Sequence, residues 1–215
     1  MGVRTAQITL ISLLCLVFVV VPGCAWESGT NHQEDAGDGD AHDAGGIDEG
    51  PFYPPGPYGT QYNDTVENFM VEEVRCPGGP AQGKPFHLED FLGSKAILIS
   101  VHSGTCTYCK QQAFTMESDL ASYRTRGLKV LLILIGDDRG SSERQDLLDY
   151  SCTYRNQYGL TFPVAADPDV VVGRVLVDEG TPLNMLLDAD MVVRYRVEAL
   201  MPDTLEGNID ALLDE

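Results

Sequence analysis

The sequence predicts an α/β domain in which helices flank a central mixed sheet, preceded by a long N-terminal segment that does not fold. Three observations carry this reading. Residues 96–101 (Ala-Ile-Leu-Ile-Ser-Val) and 128–135 (Leu-Lys-Val-Leu-Leu-Ile-Leu-Ile) are short, β-rich apolar runs, the pattern of strands buried on both faces. Between them Ala113, Met116, Leu120 and Tyr123 fall on one helical face, so a helical crossover joins two parallel strands. Later, residues 183–187 and 191–197 are separated by Asp188-Ala189-Asp190, a hairpin signal that adds an antiparallel pair.

Along the chain, residues 8–21 are almost unbroken apolar sequence after Arg4. That length suits the apolar region of a signal peptide and falls short of the roughly 20 residues that span a bilayer. The run ends in Val21-Pro22-Gly23-Cys24, which resembles a bacterial lipobox. The resemblance implies that residues 1–23 are removed and that Cys24 carries lipid, although Pro22 is an unusual member of such a box. The alternative is an ordinary secretory signal with Cys24 incidental.

Residues 24–62 form a tether. Glu27, Glu34, Asp35, Asp38, Asp40, Asp43, Asp48 and Glu49 are interspersed with Gly and lack basic partners, so this stretch cannot bury a core. His32 and His42 stand among these carboxylates, but their spacing matches no defined metal site. Residues 51–59 (Pro-Phe-Tyr-Pro-Pro-Gly-Pro-Tyr-Gly) then read as a rigid, extended lead-in. The folded domain is assigned to residues 63–215. After the second strand it continues with a helix near 142–158, the segment Thr161-Phe162-Pro163-Val164, the hairpin, and a closing helix near 203–213.

With 14 Lys and Arg against 33 Asp and Glu, the formal charge is −19. Phosphate backbones would repel such a surface, which argues against nucleic-acid binding, and anionic headgroups would not attract it. Membrane attachment therefore falls to the lipid.

The chemistry lies in the cysteines. Cys15 leaves with the signal and Cys24 is assigned to lipid, which leaves Cys76, Cys106, Cys109 and Cys152 in a disulfide-permissive compartment. Cys106-Thr107-Tyr108-Cys109 sits just after a buried strand, where the amphipathic helix starts. Unpaired N–H groups and the macrodipole at a helix N-terminus stabilise a thiolate, which makes the first Cys the nucleophile. The second, one turn along, can resolve the mixed disulfide. Half a zinc site has the same spacing, but Cys76, Cys152 and His102 form no second spaced pair, so no metal is assigned. Cys76 and Cys152 fit either a structural disulfide or two independent buried thiols.

Strand, C-x-x-C, helix, strand, helix, then Gly180-Thr181-Pro182 before a hairpin and terminal helix resembles the thioredoxin superfamily. Residues 86–95 (Phe-His-Leu-Glu-Asp-Phe-Leu-Gly-Ser-Lys), Phe162-Pro163-Val164 and Asp167-Pro168-Asp169 are similar to segments of its exported redoxin branch, the membrane-anchored thiol-disulfide oxidoreductases. The likeness runs from about Asn63 to Glu215. It implies a thioredoxin-like fold, with Pro182 cis against the Cys106–Cys109 pair and Thr181 offering backbone groups to a partner peptide. Tyr108, inside the motif, either shapes partner binding or is simply exposed.

The chain departs from the family where proton acceptors belong. Thr105 replaces the usual Trp before the first Cys, Ser100 replaces the Asp six positions before it, and Gln112 stands where the exported branch often has Glu. His102 is the nearby titratable substitute, a candidate for proton transfer or else a structural or solvent-facing residue.

The expected function is thus a lipid-anchored, extracytoplasmic thiol-disulfide oxidoreductase of the bacterial envelope. It would act on protein thiols or disulfides, draw on an unidentified envelope redox donor, and need no dissociable cofactor. One alternative is a peroxiredoxin-like peroxidase, whose Pro-x-x-x-Thr-x-x-Cys pattern is replaced here by Ile99 and Ser103 at the Pro and Thr positions. The other is a thioredoxin-like binding module that keeps its disulfide for rigidity.

Overall fold

Every residue of the strand Ala96–His102 is buried, so both faces of the sheet that contains it must be covered. The computed structural model describes residues 52–214 and shows how. In chain order the elements are β1 (Met70–Arg75), β2 (Gln82–His87), a 3₁₀ turn (Leu88–Phe91), β3 (Ala96–His102), α1 (Thr107–Arg126), β4 (Leu128–Leu134), α2 (Arg144–Gln157), β5 (Val164–Ala166), α3 (Val171–Leu176), β6 (Leu183–Asp188), β7 (Val193–Val197) and α4 (Asp203–Asp214). They build one seven-stranded mixed sheet in the order β2-β1-β5-β4-β3-β6-β7. The central strands β3, β4 and β5 are parallel, and β1, β6 and β7 pair antiparallel to their neighbours.

Strand alternation divides the core into two layers. Ala96 and Leu98 face α1, α2 and α4, where Met116, Leu120, Leu148 and Ile209 cover them. Ile97, Ile99 and Val101 face the opposite way, under Leu88, Phe91, Val172 and Leu176 of the 3₁₀ turn and α3. The expected helical face of α1 is the buried one: Ala113, Met116 and Leu120 are inside and Tyr123 packs at the margin. α1 stops at Gly127, whose φ of 116° suits glycine at a helix C-terminus, and Arg126 then pairs with Asp210 and Asp214 of α4.

The structure adds β1, β2 and α3, which periodicity does not disclose. β2 is a half-exposed edge strand that tolerates Pro85, and α3 is only six residues long. β7 also begins at Val193, two residues later than expected. Met191 adopts φ 59° in the turn, and Asp188 Oδ1 accepts the N–H groups of Asp190 and Val192. The proposed signal peptide, Cys24, His32 and His42 lie outside the described residues. Part of the lead-in is described: the Tyr53 hydroxyl donates to the Val66 carbonyl at 2.7 Å, and Tyr58 bridges to Thr65.

Candidate active site

The site is built on the loop between β3 and α1, which is pressed against the loop after β4. Gly104 N–H donates to the Gly136 carbonyl at 2.8 Å. A Cβ on Gly104 would stand 2.4 Å from the carbonyl carbon of Asp137, a backbone atom that cannot swing aside. Gly104→Ala is therefore expected to cost about 2 kcal/mol of stability through overpacking. Urea unfolding reads this directly, and an unchanged midpoint would show that the loop shifts freely.

That loop delivers Cys106 to the N-cap of the 20-residue α1, where its Sγ accepts the backbone N–H of Cys109 at 3.0 Å. Cys106 and Cys109 are joined as a disulfide. Cys109 is fully buried, whereas Cys106 is only partly covered, so an incoming sulfur can reach the first cysteine alone. Cys106 Sγ also lies 3.2 Å from the carbonyl oxygen of Thr181, and the Thr181–Pro182 peptide bond is cis. Tyr108 is 63% exposed and lines, with Thr181, Pro182, Glu198, Ala199 and Leu200, a cavity of about 320 Å³.

The Thr181–Pro182 loop is held from behind by Glu198. Its carboxylate accepts the N–H groups of Asp178, Glu179 and Gly180 at 2.8, 2.5 and 2.6 Å, and Arg196 donates to it at 2.5 Å. Partial burial opposes ionisation, but these donors prevail and hold the Glu198 carboxyl below its ordinary range.

Beneath the disulfide lies a buried polar network. Ser100 and His102 on β3, Gln112 on α1, Asn184 on β6 and Tyr154 on α2 are all buried. The Tyr154 hydroxyl donates to the Cys109 carbonyl at 3.0 Å, so in its 3.0 Å contact with His102 Nδ1 the imidazole must be the donor. His102 Nε2 is then an acceptor, with Ser100 Oγ at 3.0 Å and Gln112 Nε2 at 3.1 Å. The network thus requires neutral His102, and burial pushes its pKa down to about 3. Burial likewise raises the Tyr154 phenol. Asn184 Nδ2 donates to Gln112 Oε1 and to the Ala199 carbonyl, and Met201 N–H donates to Gln112 Oε1. One set of neutral groups therefore braces both the Cys109 backbone and the segment that walls the cavity.

The structure thus brings together Cys106, Cys109, Tyr108, Thr181 and Pro182. It sets His102 one layer below them, linked to Cys109 only through Tyr154, and not toward solvent. Cys76 and Cys152 are bonded to each other, tying the connection after β1 to α2. Tyr154, Asn184 and Glu198 were not among the sequence candidates. Asn184 left a signal, as a lone amide within the apolar run Leu183-Asn184-Met185-Leu186-Leu187. Tyr154 did not, because only packing reveals which member of the Tyr150, Tyr154, Tyr158 series points at Cys109.

A thioredoxin-like sheet with a cysteine pair at a helix N-terminus beside a cis-proline loop defines a redoxin. Residues 63–196 match the AhpC/TSA family, and the chain belongs to it. A protein of Mycobacterium tuberculosis strain H37Rv, provisionally named a peroxiredoxin, is 30% identical over 89 residues, covering 41% of this chain and 50% of that protein. The chain spans about half the length of the curated peroxiredoxins it matches. The thiol-disulfide oxidoreductase ResA of Bacillus anthracis is 25% identical over 149 residues, covering 68% of this chain and 76% of ResA. In three dimensions the chain is similar to a Chlorobium tepidum protein provisionally described as thiol:disulfide interchange protein DsbE. The TM-score is 0.57 at 22% identity, over 71% of this chain and 98% of that one, a likeness of fold.

Proposed function

We propose that the chain is an extracytoplasmic thiol-disulfide oxidoreductase that exchanges disulfides with partner proteins through Cys106 and Cys109. The carrying observation is the asymmetry of the pair: Cys106 is accessible at the N-cap of α1 and Cys109 is buried behind it. A partner thiolate attacks Cys106 Sγ, a mixed disulfide forms, and Cys109 leaves as a thiolate. A second partner thiol then releases Cys106, so the partner gains a disulfide and the pair carries two electrons. In reverse, Cys106 attacks a partner disulfide and Cys109 resolves it. When Cys106 is the thiolate, the Cys109 N–H and the α1 dipole stabilise its charge. Backbone groups of Thr181 stand ready to align an extended partner, and Tyr108 flanks it. His102 holds Cys109 in place through Tyr154 rather than accepting a proton from it.

The apolar leader and the Val21-Pro22-Gly23-Cys24 sequence support export and lipid attachment at Cys24, with residues 24–62 acting as tether to the domain. A peroxidase finds less support, since Ile99 and Ser103 stand where its pattern requires Pro and Thr, and Ile99 is sealed within β3. The test equilibrates the mature chain in graded thiol-disulfide buffers and reads the pair by alkylation and mass. A single two-electron transition between about −270 and −120 mV is expected, with its position giving the working direction. Cys106→Ser should lower exchange with a protein disulfide by at least about 10³-fold, the scale of losing a nucleophile. A pair that never responds would sink the enzyme reading and leave the binding module.

A further inference from the structure

The cavity beside the disulfide continues away from it. A second cavity of about 200 Å³ shares Leu200 with the first and carries the groove along α1 past Gln111 and Thr115 to Asp119. A third, of about 260 Å³, shares Asp119 and Met201 with the second and reaches Tyr123, Asp203 and Glu206. One side of α1 forms the first wall: Tyr108, Gln112, Thr115, Asp119 and Tyr123 follow one another at steps of three or four residues. Residues 198–202 and the first turns of α4 form the other wall. That wall is positioned by the buried network, through the bonds of Gln112 to Met201 and of Asn184 to Ala199.

The two ends of the groove differ in chemistry. Near the sulfur it is bounded by Tyr108, Pro182 and Leu200, and the Glu198 carboxylate there is already taken up by Arg196 and three backbone N–H groups. At the far end it carries Asp119, Asp203 and Glu206, all exposed, and none pairs with Lys or Arg among the described residues. Among the described residues the one cation beside that end is Arg126, whose guanidinium lies 5.8 Å from the centre of the Tyr123 ring. Arg126 is engaged by Asp210 and Asp214, and Lys110 lies about half a turn round α1 from Asp119.

We propose that this groove seats the partner polypeptide on one side of its reacting cysteine and selects partners with a Lys or Arg six to eight residues from it. The spacing follows from geometry. From Cys106, the sulfur a partner reaches, to Asp119 and Tyr123 the helix rises about 20 to 26 Å, which an extended peptide spans in about six to eight residues. The charge follows from complementarity, because a cation at that distance meets three carboxylates that hold no Lys or Arg partner among the described residues, in a groove of an already acidic chain. This selectivity rests on the exchange activity proposed above.

The test uses the pre-reduced mature chain and peptides whose single Cys is a mixed disulfide with an aromatic thiol. Cys106 attacks the peptide sulfur and releases the aromatic thiolate, which absorbs light. Cys109 then closes the protein disulfide and frees the peptide thiol. One peptide carries Lys seven positions to either side of Cys, and its counterpart carries Glu. At low salt the Lys peptide should react about tenfold faster, the scale of electrostatic steering, and the ratio should fall below about twofold in 0.5 M NaCl. Asp119→Asn with Glu206→Gln should remove the preference, and Asp119→Lys should invert it. Equal rates for the two peptides, or a preference that survives these substitutions, would overturn the proposal while leaving disulfide exchange standing. No release from either peptide would overturn the exchange reading, and the selectivity with it.

Discussion

A chain in which Cys76 and Cys152 are both changed to Ser should unfold with about 4 kcal/mol less stability than the parent, by the chain-entropy relation for a loop of this size. The two cysteines are 76 residues apart, and their bond ties the connection after β1 to α2. An unfolded chain without that bond recovers the entropy of a long closed loop, while the native fold loses little contact area. The loss is large against the roughly 5 to 15 kcal/mol that a domain of this kind commands. It also reaches the site, because α2 carries Tyr154, which fixes the Cys109 carbonyl. Urea unfolding in non-reducing buffer, with Cys106–Cys109 kept oxidised, is the measurement. A loss below about 1 kcal/mol would mean that the unfolded chain is already held compact, since residual structure of that kind removes the entropic gain.

Acid should weaken the fold through His102. Its folded pKa is about 3, against about 6.5 in an unfolded chain, because burial alone disfavours the imidazolium. Below pH 6.5 the unfolded state therefore binds a proton that the folded state refuses. Stability from this group is complete above pH 6.5 and declines as the pH falls toward 3. Between pH 6.5 and 4 the loss from this one residue is about 3 kcal/mol. The slope of unfolding free energy against pH measures it, and His102→Gln should remove that part of the slope. In NMR, the His102 ring protons should not titrate above pH 4. A midpoint near 6 would show that water reaches the ring and that the network tolerates its charge.

This neutral network bears on the missing carboxylate. Gln112 and Ser100 stand where the superfamily places acids, and with Asn184, His102 and Tyr154 they satisfy one another without any charge. The site therefore positions Cys109 by a hydrogen bond to its backbone and keeps charge out of its floor. A Gln112→Glu substitution would keep one oxygen where Asn184 Nδ2 and Met201 N–H supply donors, but would set the other against Ser100 Oγ, His102 Nε2 and Asn184 Oδ1, which now accept from Gln112 Nε2.

The sequence alone was enough for the α/β class, the two central parallel strands, the α1 crossover and the terminal hairpin. Each of these is written in local apolar periodicity, which burial on one or two faces imposes directly. It also placed Cys106 and Cys109 at a helix start and singled out Pro182 through family resemblance. It did not disclose β2, an edge strand with Pro85 and five other exposed or half-exposed residues, or β1, whose buried residues Val71 and Val74 do not alternate. The joining of Cys76 to Cys152, the burial of His102, and the convergence of Gln112, Tyr154 and Asn184 beneath Cys109 belong to the tertiary structure. Those residues sit on four different elements, and no local spacing encodes which side chains meet when β3, α1, α2 and β6 pack. Local chemistry named the reactive pair, and long-range packing decided what holds it, what faces it and how a partner reaches it.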